Sequence, residues 1–137
     1  LNVHLHKNIP MGGGLGGGSS DAAFFLKLVN EKFNLNLPYE EKKEILSGLG
    51  SDCVFFLNNK PSFAIKRGEE MNEINLDLSE YYILIVFPQI HSNTQLAFRK
   101  ITPDKNSKSP LEIIQKYKIG DWKSHLKNDF EKNIFQN

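Results

Sequence analysis

Apolar and polar residues alternate from Asn2 to Lys7, with Val3 and Leu5 on one face and His4 and His6 on the other. That period of two predicts a strand. The pattern breaks at residues 10–20, PMGGGLGGGSS, where six of eleven positions are glycine. Glycine loses too much backbone freedom to sustain a helix or strand interior, so a loop is expected there. Ser19, Ser20 and Asp21 are N-cap residue types, and a helix is predicted over 20–33. Ala22, Phe25, Leu26, Val29 and Phe33 recur at three- and four-residue spacing as its buried stripe. A second helix is predicted from Pro38, at a first helical position, through Ile45 and Leu46 to a stop near Gly48. Gly50 to Cys53 reads as a turn into apolar Val54–Leu57. Strands are predicted over 62–66 and 81–87, the second so apolar that it should be central in a sheet. Helices are expected over 94–100, 110–117 and 121–132, and no internal repeat is visible.

Composition narrows the classes. The 137 residues suffice for one ordinary domain, and 39% hydrophobic with 24% charged residues is normal for a globular chain. A net charge of +1 gives no electrostatic basis for a nucleic-acid partner. The more basic stretch 99–137 mixes both signs and reads as a solvated helical surface. Cys53 is the sole cysteine, so no internal disulfide forms and a reducing, cytoplasmic compartment fits. The longest apolar run, Tyr81 to Phe87, is too short to cross a bilayer, and no membrane partner or leader peptide is read. The chain opens at Leu1 in mid-strand and stops at Asn137 just after a helical pattern. Both ends read as cut, so core partners are expected to be missing. Oligomeric state is not legible.

The chemistry concentrates in the glycine run. A strand, glycines and a helix opening with hydroxyls aim backbone amides at an anion. Ser19 and Ser20 add hydroxyls able to donate to phosphate or ligate Mg2+. Asp21 suits the helix dipole but not an incoming phosphate, so its side chain should point away. No Lys-Ser/Thr pair ends the run, so it is not a Walker A loop. A dinucleotide-type GxGxxG can be drawn through Gly12 to Gly17, but among so many glycines the match is almost automatic. A flexible linker remains the bland alternative.

The stretch from Pro10 to Ala23 resembles the second motif of the GHMP kinases, Pro-x-x-x-Gly-Leu-Gly-Ser-Ser-Ala-Ala, which wraps the phosphates of ATP. The extra glycines before Ser19 are most similar to the branch acting on a cytidine-diphosphate-linked methylerythritol. Galactokinase, homoserine kinase and mevalonate kinase show a shorter spacing. The likeness continues through Leu49 to Phe56, Ala64 to Glu69, Phe87 to Phe98 and Asn128 to Glu131, nearly the whole chain. Val54 stands where the family usually has proline, and Arg67 where it often has glycine.

The resemblance implies an α+β GHMP kinase fold, incomplete in this chain. Its N-terminal part would be like ribosomal protein S5 domain 2, with a left-handed βαβ element, followed by a C-terminal α/β domain. Residues 1–60 would end the ATP-binding domain, and 61–137 would begin the second. ATP would be held by Pro10, Met11, Gly12, Gly13, Gly14, Leu15, Gly16, Gly17, Gly18, Ser19 and Ser20, with Mg2+ implied by ATP chemistry. Asp52 would be the base that accepts the proton of a substrate hydroxyl. From position alone it could equally cap the next helical turn. The resemblance implies transfer to the 2-hydroxyl of the methylerythritol, in non-mevalonate isoprenoid precursor synthesis. It also puts the family's activating lysine and third glycine motif outside this chain, so the chain alone is expected to be inactive. Other GHMP specificities, of homoserine or mevalonate type, and a non-catalytic nucleotide-binding fragment stay open.

Other candidates have plainer explanations beside them. Thr94 aligns with a family threonine near the cytidine base, yet threonine before a helix is commonly an N-cap. His4 and His6 have metal-like spacing but no matching ligands, and a strand surface accounts for them. Trp122, Phe130 and Phe135 are expected to pack, as is Cys53.

Overall fold

The structure is a computed structural model that describes residues 1–9, 12–66, 68, 70–86, 98–99, 101 and 108–131. Its elements are mixed α and β, in two compact units, Leu1–Ile85 and Val86–Asn137.

In the first unit, helix α1 spans Gly17–Lys32 and so begins ahead of the predicted Ser20. Its N-cap is Gly16, in the left-handed region at φ 68°. The Ser20 amide donates to the Gly16 carbonyl at 2.8 Å and closes the first turn. Ser19 and Ser20 therefore stand inside that turn and do not cap it. Helix α2 spans Tyr39–Leu49, with Pro38 as its N-cap and not its first residue. It runs past Gly48 and ends at Gly50, whose amide donates to Leu46. A 3-10 turn, Ser51–Cys53, leads into a short helix α3, Phe55–Asn58. Val54 joins them at φ −63°, the value a proline ring would impose, so valine here keeps the same backbone path.

Strand β1, Ser62–Ile65, falls where a strand was expected. It pairs antiparallel with β2, Glu70–Glu73, Ser62 opposite Glu73 and Ile65 opposite Glu70. With Met71 its one apolar residue, β2 carries no strand pattern of its own and forms by pairing with β1.

The core of this unit is Ala23, Leu46, Cys53, Val54 and Leu57, with Ala22, Leu26, Phe56 and Met71 packed against it. The predicted α1 stripe is thus partly corrected: Phe25 and Phe33 are 41% and 50% exposed. Residues 22–26 of α1 are all apolar, so periodicity could not select the face that meets α2 and α3. Two predicted strands are also corrected. Residues 1–8 and 82–86 have no regular structure, and Tyr82, Ile83 and Leu84 are 84–102% exposed. An isolated strand leaves its ladder groups unpaired, and the sheet among the described residues holds only β1 and β2.

In the second unit, α4 spans Pro110–Lys116, with Ser109 Oγ accepting from the Leu111 amide at 3.3 Å. A 3-10 turn, Ile119–Asp121, precedes α5, Trp122–His125. The helix expected over 121–132 is therefore shorter. Asn128 Oδ1 accepts from the Phe130 amide at 3.1 Å, a local turn that competes with helix propagation. Trp122 donates to the Tyr117 carbonyl at 3.1 Å, and Phe130 packs edge-on against Phe98 at 4.9 Å. Most of the helix expected over 94–100, and Phe135, lie outside the described residues. No helix among the described residues is long and apolar enough to cross a membrane.

Candidate functional site

Gly12, Gly14 and Gly16 hold φ 75°, 72° and 68°, while Gly13 and Leu15 between them stay out of the left-handed region. Such alternation curls successive N–H groups toward one concave side, the geometry of an anion nest. The loop runs into the first turn of α1, where the amides of Gly17, Gly18 and Ser19 have no carbonyl behind them in the helix. The half-buried Ser19 and Ser20 add hydroxyls to this end. Pro10 and Met11 lie outside the described residues, as does Thr94.

Gly16 is required by its surroundings as well as by its φ. A Cβ there would stand 3.1 Å from the Phe56 ring. Phe56 is itself fixed: Phe55 meets it edge-on at 5.1 Å, and Lys27 Nζ donates to its carbonyl at 2.8 Å. The loop thus rests on the segment that follows Asp52.

In the 3-10 turn each residue is rotated by about a third of a circle from the last. Cys53 and Val54 are buried while Asp52 faces out. Ser51 Oγ lies 3.4 Å from Asp52 Oδ1. Among the described residues the carboxylate accepts from no main-chain amide, and the N-caps of the turn and of α3 are Gly50 and Val54. Asp52 is therefore not spent on capping either element. Across the hairpin turn, a Cβ on Gly68 would stand 3.7 Å from Asp52 Oδ1.

These pieces meet. Gly16, Asp52, Phe55, Phe56, Ala64, Gly68 and Met71 line one cavity of about 260 Å3. That is below the roughly 300–1,000 Å3 of a whole small-molecule site. A carboxylate facing a cavity that the nest also borders can orient a hydroxyl and take its proton.

Sequence reasoning passed over Lys7. Its Nζ lies 2.5 Å from Asp21 Oδ2, and a Cβ on Gly17 would be 3.4 Å from it. Asp21 is turned toward this ammonium. Only the nearness of Lys7 to the glycine run hinted at it. His4 and His6 are exposed, and His6 pairs with Asn8 Oδ1 at 3.0 Å. No group of three or more His, Cys, Asp or Glu gathers among the described residues.

Residues 1–59 match the family model "GHMP kinases N terminal domain". The chain is 45% identical over 135 residues to a 4-diphosphocytidyl-2-C-methyl-D-erythritol kinase of Bacteroides fragilis, covering 98% of this chain and 49% of that protein. Proteins of the same name from Cytophaga hutchinsonii and Thermotoga petrophila are 41% and 35% identical, each over 99% of this chain. The chain spans about half the length of these curated relatives. The nest, the carboxylate turn and α1–α3 all fall within residues 1–59, the segment that matches the GHMP kinase N-terminal domain.

Proposed function

We propose that the protein carrying this chain is an ATP-dependent kinase that phosphorylates the 2-hydroxyl of 4-diphosphocytidyl-2-C-methyl-D-erythritol, in non-mevalonate isoprenoid precursor synthesis. The observation that carries the proposal is the shared cavity, in which Gly16 of the loop and Asp52 are both lining residues. The names of the relatives supply the substrate.

The loop and the first turn of α1 fit a triphosphate, because N–H groups converge there beside two hydroxyls. Gly12 to Ser20 would hold it, and Pro10 and Met11 are assigned to the same site. ATP supplies the phosphoryl group. Asp52 orients the acceptor hydroxyl and receives its proton, and no covalent phosphoenzyme is needed. Ser19 and Ser20, with no carboxylate cluster among the described residues, suit a Mg2+ carried in on phosphate oxygens and keeping its waters. Thr94 is assigned to the cytidine end of the substrate. Residues 1–60 are taken as the end of the ATP-binding domain and 61–137 as the start of the second, in a cytoplasmic enzyme.

The test is Asp52→Asn in the full-length protein. ATP affinity should stay within a few-fold while kcat falls roughly 100- to 10,000-fold. A variant that keeps its kcat removes Asp52 from the chemistry. Turnover of homoserine or mevalonate, with none of the cytidylyl substrate, would move the protein to another branch of the family.

A further inference from the structure

We infer that Lys7 is a further nucleotide-binding residue, held beside the phosphate loop by Asp21 and shared with the phosphates when they arrive; this rests on the ATP-loop reading above. Three observations carry it. Lys7 Nζ lies 2.5 Å from Asp21 Oδ2, and both side chains are partly buried, 26% and 36% exposed. The same nitrogen stands against Gly17, the first residue of α1, where a Cβ would be 3.4 Å away. And an ammonium at this end of a helix is on the wrong side of its dipole, since the helix N-terminus already carries partial positive charge.

A cation held there against the helix field needs an anion, and among the described residues that anion is Asp21. Asp21 lies in the second turn of α1, not in the loop. The two groups have unequal prospects when a triphosphate enters. The ammonium has three donors and can meet a phosphate oxygen beside Gly17 while still touching Asp21. The carboxylate only repels the ligand. Asp21 therefore orders Lys7 next to the nest but weakens the ligand it prepares for, and Lys7 screens Asp21 from the phosphates. A purely structural ion pair would tie the segment before the loop to α1, and losing either partner would have the same sign.

Opposed signs make the test. Titration calorimetry on the full-length protein would use Mg·ATP and, separately, inorganic tripolyphosphate, with thermal melting as a control for folding. Lys7→Met should weaken both ligands about tenfold or more, the loss of one charge-assisted hydrogen bond, and Lys7→Arg should restore most of it. Asp21→Asn should tighten both about two- to fivefold by removing a repelling carboxylate, and by at least as much on the Lys7→Met background, where Lys7 no longer screens it. Weakening by Asp21→Asn, or unchanged binding in Lys7→Met, overturns the inference while the ATP-loop reading stands. Failure of the unmodified protein to bind either ligand overturns both. Should Lys7→Met melt before it can be titrated, Lys7→Gln, which keeps a polar chain without the charge, is titrated in its place, with the same loss expected and unchanged binding overturning the inference.

Discussion

Asp52 and Gly16 illustrate how single positions carry this site. Asp52 is held at the cavity because Cys53 and Val54, which follow it, are buried. Gly16 is constrained twice, by φ 68° and by the Phe56 ring. Gly16→Ala should cost about 1–2 kcal/mol from the left-handed backbone alone, with the ring contact added to it. In the full-length protein this should appear as a lower melting temperature and weaker ATP binding. Adding Phe56→Leu should recover the steric part and leave the backbone part. If Gly16→Ala binds ATP as tightly as the parent, the loop does not hold the geometry described.

At the scale of elements, α1 has two jobs. Its N-terminal turn finishes the nest, and its Ala22–Ala23–Leu26 face meets α2 and α3. Small residues on that face let α2 approach, and Leu46 of α2 fills the contact with no exposed surface. Leu46→Ala should therefore destabilise by about 2–5 kcal/mol, read as a shift of the urea midpoint. Because the 3-10 turn packs against α2, the same variant should lose kcat even under conditions where it remains folded. In the second unit, Ser109→Ala removes the cap of α4 and should cost about 0.5–2 kcal/mol, without changing ATP affinity.

For the molecule as a whole, the exposed apolar surface is the leading feature. Leu1, Val3 and Leu5, with Phe24, Phe25 and Leu28 of α1, border a groove of about 500 Å3, and Tyr82 to Val86 stand open. Contiguous apolar patches of this kind mark surfaces that pack against something. The chain of 137 residues by itself is expected to bind a hydrophobic dye strongly and to self-associate. A protein of the length of the relatives should do neither. Equal dye binding by both would mean that these surfaces stay open in the longer protein.

The residues of the candidate site were nominated by the sequence, and the structure adds where they lie. Six glycines in the seven positions from Gly12 to Gly18, then Ser19-Ser20, are a local statement about backbone freedom and hydrogen-bond donors that needs no tertiary partner. The helical character of 20–32 and 39–49, and strand β1, were local in the same sense. Less local features were misjudged. The start of α1 moved to Gly17 because the turn closes onto the Gly16 carbonyl, and its buried face depended on where α2 lay. Strands over 2–7 and 81–87 needed neighbours that no described strand supplies, and β2 arose only by pairing with β1. Residue order by itself determined which groups can do chemistry: the glycines, the hydroxyls and Asp52. Tertiary structure alone decided that Gly16 and Asp52 share a cavity and that Lys7 meets Asp21. Contacts between residues distant in sequence depend on how whole elements pack, and no local pattern encodes that.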